Sequence, residues 1–259
     1  MVNKPPIKKQ SFIWDGLYPT WETACNAARK TGNTGGGLRG KRWLKRITQQ
    51  LFDYRSEFAR YGTAIPPRPC NLPFLCAVTN PRKILDFGGS SGWSWEYLKN
   101  SLPCNRVASY VILETKQVVD HMRKLKAHKP PVSYKNETKL LKQYDVLYCN
   151  SVLQYFGSNR AFLSLVKKIK PNYIFLEDTI AKGDQDFFSC QRFYDLKLPY
   201  RFIGLRKMLK ELTEYTEVLR FPYAAPILGV VGPLGMENLP AAKRIRYASS
   251  ILLKKVNKK

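Results

Sequence analysis

One nine-residue segment has the composition of a ligand-binding turn. Ile84-Leu85-Asp86-Phe87-Gly88-Gly89-Ser90-Ser91-Gly92 reads as a short apolar strand, an acid, a glycine-rich turn and a helix start. Glycine lets the backbone turn tightly and lets a ligand lie directly against it, and Ser90 and Ser91 are suited to cap the helix that follows. A dinucleotide site asks for GxGxxG with a pyrophosphate on the helix N-terminus. Here the glycines stand at Gly88, Gly89 and Gly92, and Asp86 precedes them. A carboxylate there opposes a diphosphate and suits a cofactor without phosphate that carries a cationic amino-acid end, which is the chemistry of S-adenosyl-L-methionine. A second acid, Glu114, follows the next apolar run, roughly 20 residues on, where a strand-tip carboxylate can accept from both ribose hydroxyls.

Methyl transfer is an in-line displacement, so a protein that performs it chiefly aligns nucleophile, methyl and sulfur. An alcohol acceptor also needs a base. The residues placed for this are Asn150, Gln154 and Tyr155 after a fourth apolar strand, and Glu177 and Asp178 after a fifth. Asp178 is the expected base, with Gln154 and Tyr155 shaping the methyl site. Asp86, Gly88, Gly89, Ser90, Gly92, Glu114 and Asn150 are the expected cofactor contacts. Trp93 and Trp95, on the helix after the turn, read as core before they read as stacking partners. His121 falls on a helix beyond Glu114 and reads as a structural histidine. Six cysteines form no CxxC pair, and with only His121 and His128 beside them no metal-ligand spacing arises, so no metal is expected.

These residues must be positioned by strands alternating with helices. Apolar runs at 83–87, 107–113, 132–135, 145–149 and 173–176 alternate with helix-length segments at 93–101, 118–125 and 162–169. That rhythm implies a parallel sheet, because each parallel crossover needs about a dozen residues. Two more strands, 216–221 and 248–253, follow. The expected fold is α/β: a Rossmann-like sheet of five parallel β/α units with a two-strand ending, over residues 81–259. Residues 1–80 differ in texture and are expected to form a helical N-terminal cap. It contains a glycine-rich patch (Gly32, Gly35, Gly36, Gly37) and a basic amphipathic helix over 41–61 with Trp43, Ile47, Leu51 and Tyr54 on one face. Pro66, Pro67, Pro69 and Pro73 are expected to close it.

The chain carries 44 Lys and Arg against 19 Asp and Glu, a net charge of +25. Such a balance suits anionic partners: an anionic small molecule or glycan, an anionic membrane surface, or nucleic acid. No module for nucleic-acid recognition is visible, so an RNA acceptor stands second to a small-molecule or glycan one. A non-catalytic basic scaffold is the third reading. No apolar run approaches the roughly 18 residues of a membrane span. The basic N-terminus lacks the apolar stretch of a signal peptide. The expectation is a cytoplasmic protein that can lie peripherally on a membrane.

Three further patterns carry a family resemblance. Phe12-x-Trp14-x-Gly16-x-Tyr18-x-x-Trp21-Glu22-x-Ala24 stands near the start, the glycine turn follows, and Asn150-Ser151-Val152-Leu153-Gln154-Tyr155 and Gln191 lie beyond. In these the chain resembles a family of class I, Rossmann-like methyltransferases dependent on S-adenosylmethionine, several of whose members are associated with bacterial surface-polysaccharide gene clusters. The similarity runs over most of residues 12–220 and is weak after Leu234. It implies the cofactor and an acceptor such as a sugar, a lipid-linked saccharide or a nucleotide sugar. The Asn-Pro-Pro-Tyr signature of many amino-methylating enzymes is absent, since Ser151-Val152-Leu153 follows Asn150. That tilts the resemblance away from DNA adenine and exocyclic amines.

Overall fold

The computed structural model describes residues 13–30, 38, 40–102, 107–193, 196–223, 226–227, 230–231 and 234–256. Phe12, the glycine patch at 32–37, Cys104, the terminal lysines Lys8, Lys9, Lys258 and Lys259, and residues 228, 229, 232 and 233 lie outside them. The elements run β1 (Trp14–Tyr18), α1 (Trp21–Lys30), α2 (Lys41–Tyr61), α3 (Leu72–Thr79), β2 (Lys83–Phe87), α4 (Trp93–Ser101), β3 (Ser109–Leu113), α5 (Lys116–Lys124), β4 (Val132–Lys135) and β5 (Val146–Asn150). They continue with α6 (Arg160–Ile169), β6 (Tyr173–Thr179), β7 (Phe187–Phe193), β8 (Leu196–Phe202), α7 (Leu205–Glu211), β9 (Tyr215–Tyr223), β10 (Pro226–Ile227), β11 (Val230–Val231) and β12 (Ala248–Lys255).

A seven-stranded sheet has the order β4-β3-β2-β5-β6-β12-β9. The first five strands are parallel, and β12 runs antiparallel to both of its neighbours. This is the α/β Rossmann-like arrangement with a two-strand ending. The order reverses between β2 and its neighbours β3 and β5, so loops leaving the carboxyl ends of these strands part to opposite sides and open a crevice there.

Side chains alternate across each strand, so neighbouring residues feed opposite cores. Ile84, Tyr110, Ile112, Val146, Tyr148 and Phe175 pack on one face with Ile47 and Leu51 of α2, Leu98 of α4 and Met122 of α5. Leu85, Val111, Leu147, Cys149 and Leu176 pack on the other with Phe162 and Ile169 of α6 and Met208 of α7. Trp93 and Trp95 are both buried in the first of these cores, and Trp95 packs on the Tyr110 ring at 5.2 Å. His121 sits in α5 with its Nε2 2.8 Å from the Thr48 hydroxyl.

Residues 1–80 are not wholly helical. They supply α1, α2 and α3 and also β1, which pairs with β7 in a separate three-stranded sheet β1-β7-β8. Pro73 lies within the first turn of α3, where its missing N–H costs nothing, so the proline run ends in a helix start as well as a helix stop. Beside this small sheet a third core gathers Trp14, Tyr200, Phe202, Tyr223 and Met236. Among the described residues no helix is long and apolar enough to cross a membrane, and no group of three or more His, Cys, Asp or Glu could hold a metal.

Candidate functional site at the carboxyl edge of the sheet

Backbone strain marks the place. Six described non-glycine residues have positive φ. Asn80 and Lys170 end α3 and α6 in the left-handed cap conformation, and Lys126 follows the end of α5. The other three are Ser90 (φ 55°), Ser151 (φ 54°) and Asp178 (φ 49°), and all lie at the carboxyl ends of β2, β5 and β6. Such residues cost about 1–3 kcal/mol each and persist where the surroundings over-determine them, characteristically at functional sites.

The glycine turn is held at several points. Gly88 (φ 75°) donates its N–H to the Leu113 carbonyl at 2.9 Å, tying the turn to the end of β3. A Cβ on Gly88 would lie 2.3 Å from Val152, and one on Gly89 would lie 2.4 Å from the Asp86 carboxyl, so close packing demands both glycines. Just past β3, Glu114 accepts from the Ser90 N–H at 3.3 Å through Oε1 and from the Thr115 N–H at 2.7 Å through Oε2. The two halves of the sequence-predicted cofactor site therefore meet.

Asp86 behaves differently from the sequence expectation. The sequence sets its carboxylate against a ligand's cationic end, but the residue is 1% exposed and its Oδ2 already accepts from the Tyr110 hydroxyl at 2.7 Å and the Ser94 hydroxyl at 2.8 Å. Burial pushes its carboxyl up to about 6, against the pull of those two donors. Asp86 thus supports the turn from beneath.

Glu177 and Asp178 belong to β6 itself rather than to the loop beyond it, because pairing with β12 carries the strand to Thr179. Asn150, the last residue of β5, lies in register with Glu177. Its Nδ2 donates to the Tyr148 hydroxyl at 2.9 Å, while its buried Oδ1 has no partner. Glu177 is fully buried and accepts from the Asn71 backbone N–H (2.9 Å), Asn71 Nδ2 (2.7 Å) and the Tyr148 hydroxyl (2.5 Å). Burial outweighs these donors and pushes its carboxyl up to about 7. Asp178 is also raised by burial, while Arg68 and Ser151 work against the rise. The Arg68 guanidinium stands 3.6 Å from its Oδ2 and keeps 34% exposure. Gln154 donates through Nε2 to the Ser151 hydroxyl at 2.9 Å and to the Asp178 carbonyl at 3.2 Å, so these residues are brought together. Tyr155 gives its hydroxyl proton to Gln191 at 2.8 Å and packs its ring on Tyr200.

A strap lies across this edge that no local sequence pattern marks. Four consecutive residues between α2 and α3 are tied down in turn: Arg68 to Asp178, the Pro69 carbonyl to the Tyr223 hydroxyl at 2.7 Å, Cys70 to the Tyr148 hydroxyl at 3.4 Å, and Asn71 to Glu177. Arg68, Cys70 and Asn71 bond through their side chains and Pro69 through its carbonyl, and the partners lie about 80 to 150 positions away and follow no local period.

No family model matches the chain, and no curated protein matches it either. Solved structures do. The glycopeptide N-methyltransferase MtfA, in complex with S-adenosyl-L-homocysteine, is 11% identical over 71% of this chain and 87% of its own, with a TM-score of 0.46. An S-adenosylmethionine-dependent methyltransferase from Mesorhizobium loti is 10% identical over 71% and 97%, at 0.45. The YcgJ protein of Bacillus subtilis is 11% identical over 73% and 99%, at 0.47. The likeness is one of fold. What the chain does with that fold has to come from its own strand tips.

These tips offer two different environments. On the β2–β3 side a carboxylate, Glu114, touches the turn's backbone. On the β5–β6 side two buried carboxyls of raised proton affinity face an arginine and several tyrosines. The first arrangement suits a polyol, and the second suits proton transfer beside an anionic group.

Proposed function

We propose that the chain is an S-adenosylmethionine-dependent methyltransferase acting on a small-molecule or glycan acceptor. The observation that carries this reading is the Glu114–Ser90 contact, which sets a strand-tip carboxylate on the glycine turn at the point where the strand order reverses. Asn150 Oδ1, buried and unpartnered on the adjacent strand, is a second acceptor that fits the cofactor's donor groups. Glu114 would hold the ribose hydroxyls, the 88–92 turn would lie against the cofactor, and Asn150 would take a hydrogen bond from it. When bound, the cofactor supplies a methyl group on a sulfonium, an electrophile that needs only alignment and a nucleophile.

Asp178 is the base in this reading. Its raised proton affinity suits it to accept a proton from an acceptor hydroxyl, and Arg68 lies ready to neutralise an anionic acceptor. Gln154 fixes the backbone around it, and Tyr155 forms one wall. Asp86 shapes the turn. The resemblance in the glycine turn and the Leu153-Gln154-Tyr155 segment favours a saccharide acceptor. The +25 charge leaves RNA as the second reading, recognised by retention that weakens steeply with salt.

Calorimetric titration with S-adenosyl-L-homocysteine, with NAD in parallel, tests the cofactor. Saturable binding of the former alone is expected, weakened by about 1–3 kcal/mol in Glu114→Ala if a charge-assisted hydrogen bond is lost. Absence of binding, or equal binding by wild type and Glu114→Ala, overturns the placement.

A further inference from the structure

A cavity of about 650 Å³ lies between α2, α4 and the 126–131 segment that joins α5 to β4. None of the residues placed in the candidate site lines it. Its lining mixes two chemistries. Phe58, Trp95, Pro130 and Pro131 are apolar, while Arg55, Lys99, Lys126 and Lys129 set four cations against a single carboxylate, Glu96. That carboxylate is 4% exposed and serves two of the cations at once, with Arg55 at 2.5 Å and Lys99 at 2.8 Å.

Arg55 has donors to spare. Its bonds to Glu96 Oε1, the Ala127 carbonyl and His128 Nδ1, at 2.5, 2.5 and 3.2 Å, all run through one terminal nitrogen. A guanidinium carries five N–H groups, and that nitrogen holds two of them. The side chain is 30% exposed, so the other three remain for water or a ligand. A space of this size with this charge calls for a small organic anion of high charge. A diphosphate has enough oxygens to engage the guanidinium and the ammonium groups together.

One lining residue connects the cavity to the glycine turn. His128 is 2% exposed. Arginine only donates and a backbone carbonyl only accepts. The ring therefore receives from Arg55 at Nδ1 and gives its Nε2 proton to the Ser91 carbonyl at 2.8 Å, where the Tyr134 hydroxyl also donates at 2.7 Å. A Cβ on Gly92 would lie 2.8 Å from Nε2, so ring and turn are in close contact.

We propose that this cavity is a second binding site, for a nucleoside diphosphate, and that its occupation reaches the glycine turn through Arg55, His128 and Ser91. The phosphates lie against Arg55, Lys99, Lys126 and Lys129, and the organic body lies against Phe58 and the prolines. The site stands whether or not the turn holds S-adenosylmethionine.

Calorimetry on the full chain with UDP, inorganic pyrophosphate and uridine tests the site. Saturable UDP binding is expected, about tenfold tighter than pyrophosphate because the apolar lining adds contact, with uridine undetected. Lys126→Asn/Lys129→Ala should weaken UDP by about tenfold, the scale of two exposed charge contacts. Asparagine is used at position 126 because its φ of 49° is one that asparagine tolerates. Lys142→Ala/Lys210→Ala removes two exposed cations beside the opposite core, and should change affinity less than about twofold. Equal weakening by both pairs would mean that UDP senses only the net charge of +25, and overturns the site, as does a lack of saturable binding. A loss confined to Arg68→Gln would put UDP on the β5–β6 side and overturns it too. Pyrophosphate as tight as UDP overturns the nucleoside, and uridine as tight as UDP overturns the diphosphate. Amide spectra of the same titration test the link. The Gly92 resonance should move along the calorimetric saturation curve, and should move less in His128→Ala while UDP still binds. A Gly92 amide that stays fixed as UDP saturates the wild type overturns the connection to the turn.

Discussion

The two sides of the carboxyl edge are built on different plans. On the β2–β3 side almost everything comes from one nine-residue turn and the strand beside it. Its carboxylates, Asp86 and Glu114, accept from hydroxyls and backbone amides. On the β5–β6 side the parts arrive from distant segments: the strap at 68–71, Tyr148 through Tyr155, Gln191, Tyr200 and Tyr223. Here Asp178 is paired with Arg68, and Glu177 is tied to the strap. The first side is a socket whose shape is set locally. The second is a wall assembled largely from distant segments, and it meets the socket where Val152 packs against Gly88.

The strongest test of that separation is Asp178→Asn. If Asp178 is the base, methyl transfer to a hydroxyl acceptor found by screening should fall by about 10²–10⁴-fold. Affinity for S-adenosyl-L-homocysteine should stay within about twofold, since the carboxylate is absent from the socket. An equal loss of both in calorimetry and transfer assays would mean that the sides are one unit. Full transfer by the variant would remove Asp178 from the chemistry.

Gly92→Ala is the corresponding break on the other side. The residue sits at φ 76°, and its Cβ would meet Ile112 Cδ1 at 2.6 Å as well as the His128 ring. Strain and overpacking together should cost about 2–4 kcal/mol in chemical denaturation and abolish cofactor binding. A variant of wild-type stability that still binds would mean that the turn is pliant and the contrast between the sides overdrawn.

The same contrast governs what could be read from the sequence. The helix over Lys41–Tyr61 and the strand over Lys83–Phe87 follow from apolar spacing within a single segment. The glycine turn between β2 and α4 is legible for the same reason. The β7–β8 hairpin was not foreseen: Pro199 interrupts β8, the fully buried Arg201 breaks its apolar alternation, and neither residue marks a strand. Arg201 is tolerated there because Asn159, the Leu153 carbonyl and Asp186 accept from its guanidinium. β1 escaped too, since its pairing partner β7 lies more than 150 residues away. The wall depends on such long-range contacts, and no local pattern encodes them. Asp86 shows the converse limit: its place was legible, but the two hydroxyls that turn it inward come from α4 and β3.

The buried carboxyls sharpen the comparison through pH. Glu177 rises from an ordinary 4.5 to about 7 on folding, and Asp86 from 3.8 to about 6. A raised carboxyl contributes stability that is complete below its unfolded value and is lost as the pH rises through its folded one. Wild-type stability should therefore decline between about pH 4.5 and 7 on account of Glu177. Glu177→Gln should remove about 3 kcal/mol of that decline, read from urea denaturation at the two ends of the window. An unchanged slope would show that Glu177 folds already ionised, with the strap carrying its charge.

The smallest effect should come from Tyr155→Phe. The substitution keeps the ring that packs on Tyr200 and removes the hydroxyl that donates to Gln191, leaving the Gln191 Oε1 without that donor. One neutral hydrogen bond is worth about 1 kcal/mol, so denaturation midpoints should shift modestly. Because the bond ties the turn after β5 to β7, its loss should loosen the wall and leave the socket alone. Transfer should fall while cofactor affinity holds, and a variant that lost affinity instead would place Tyr155 among the cofactor contacts.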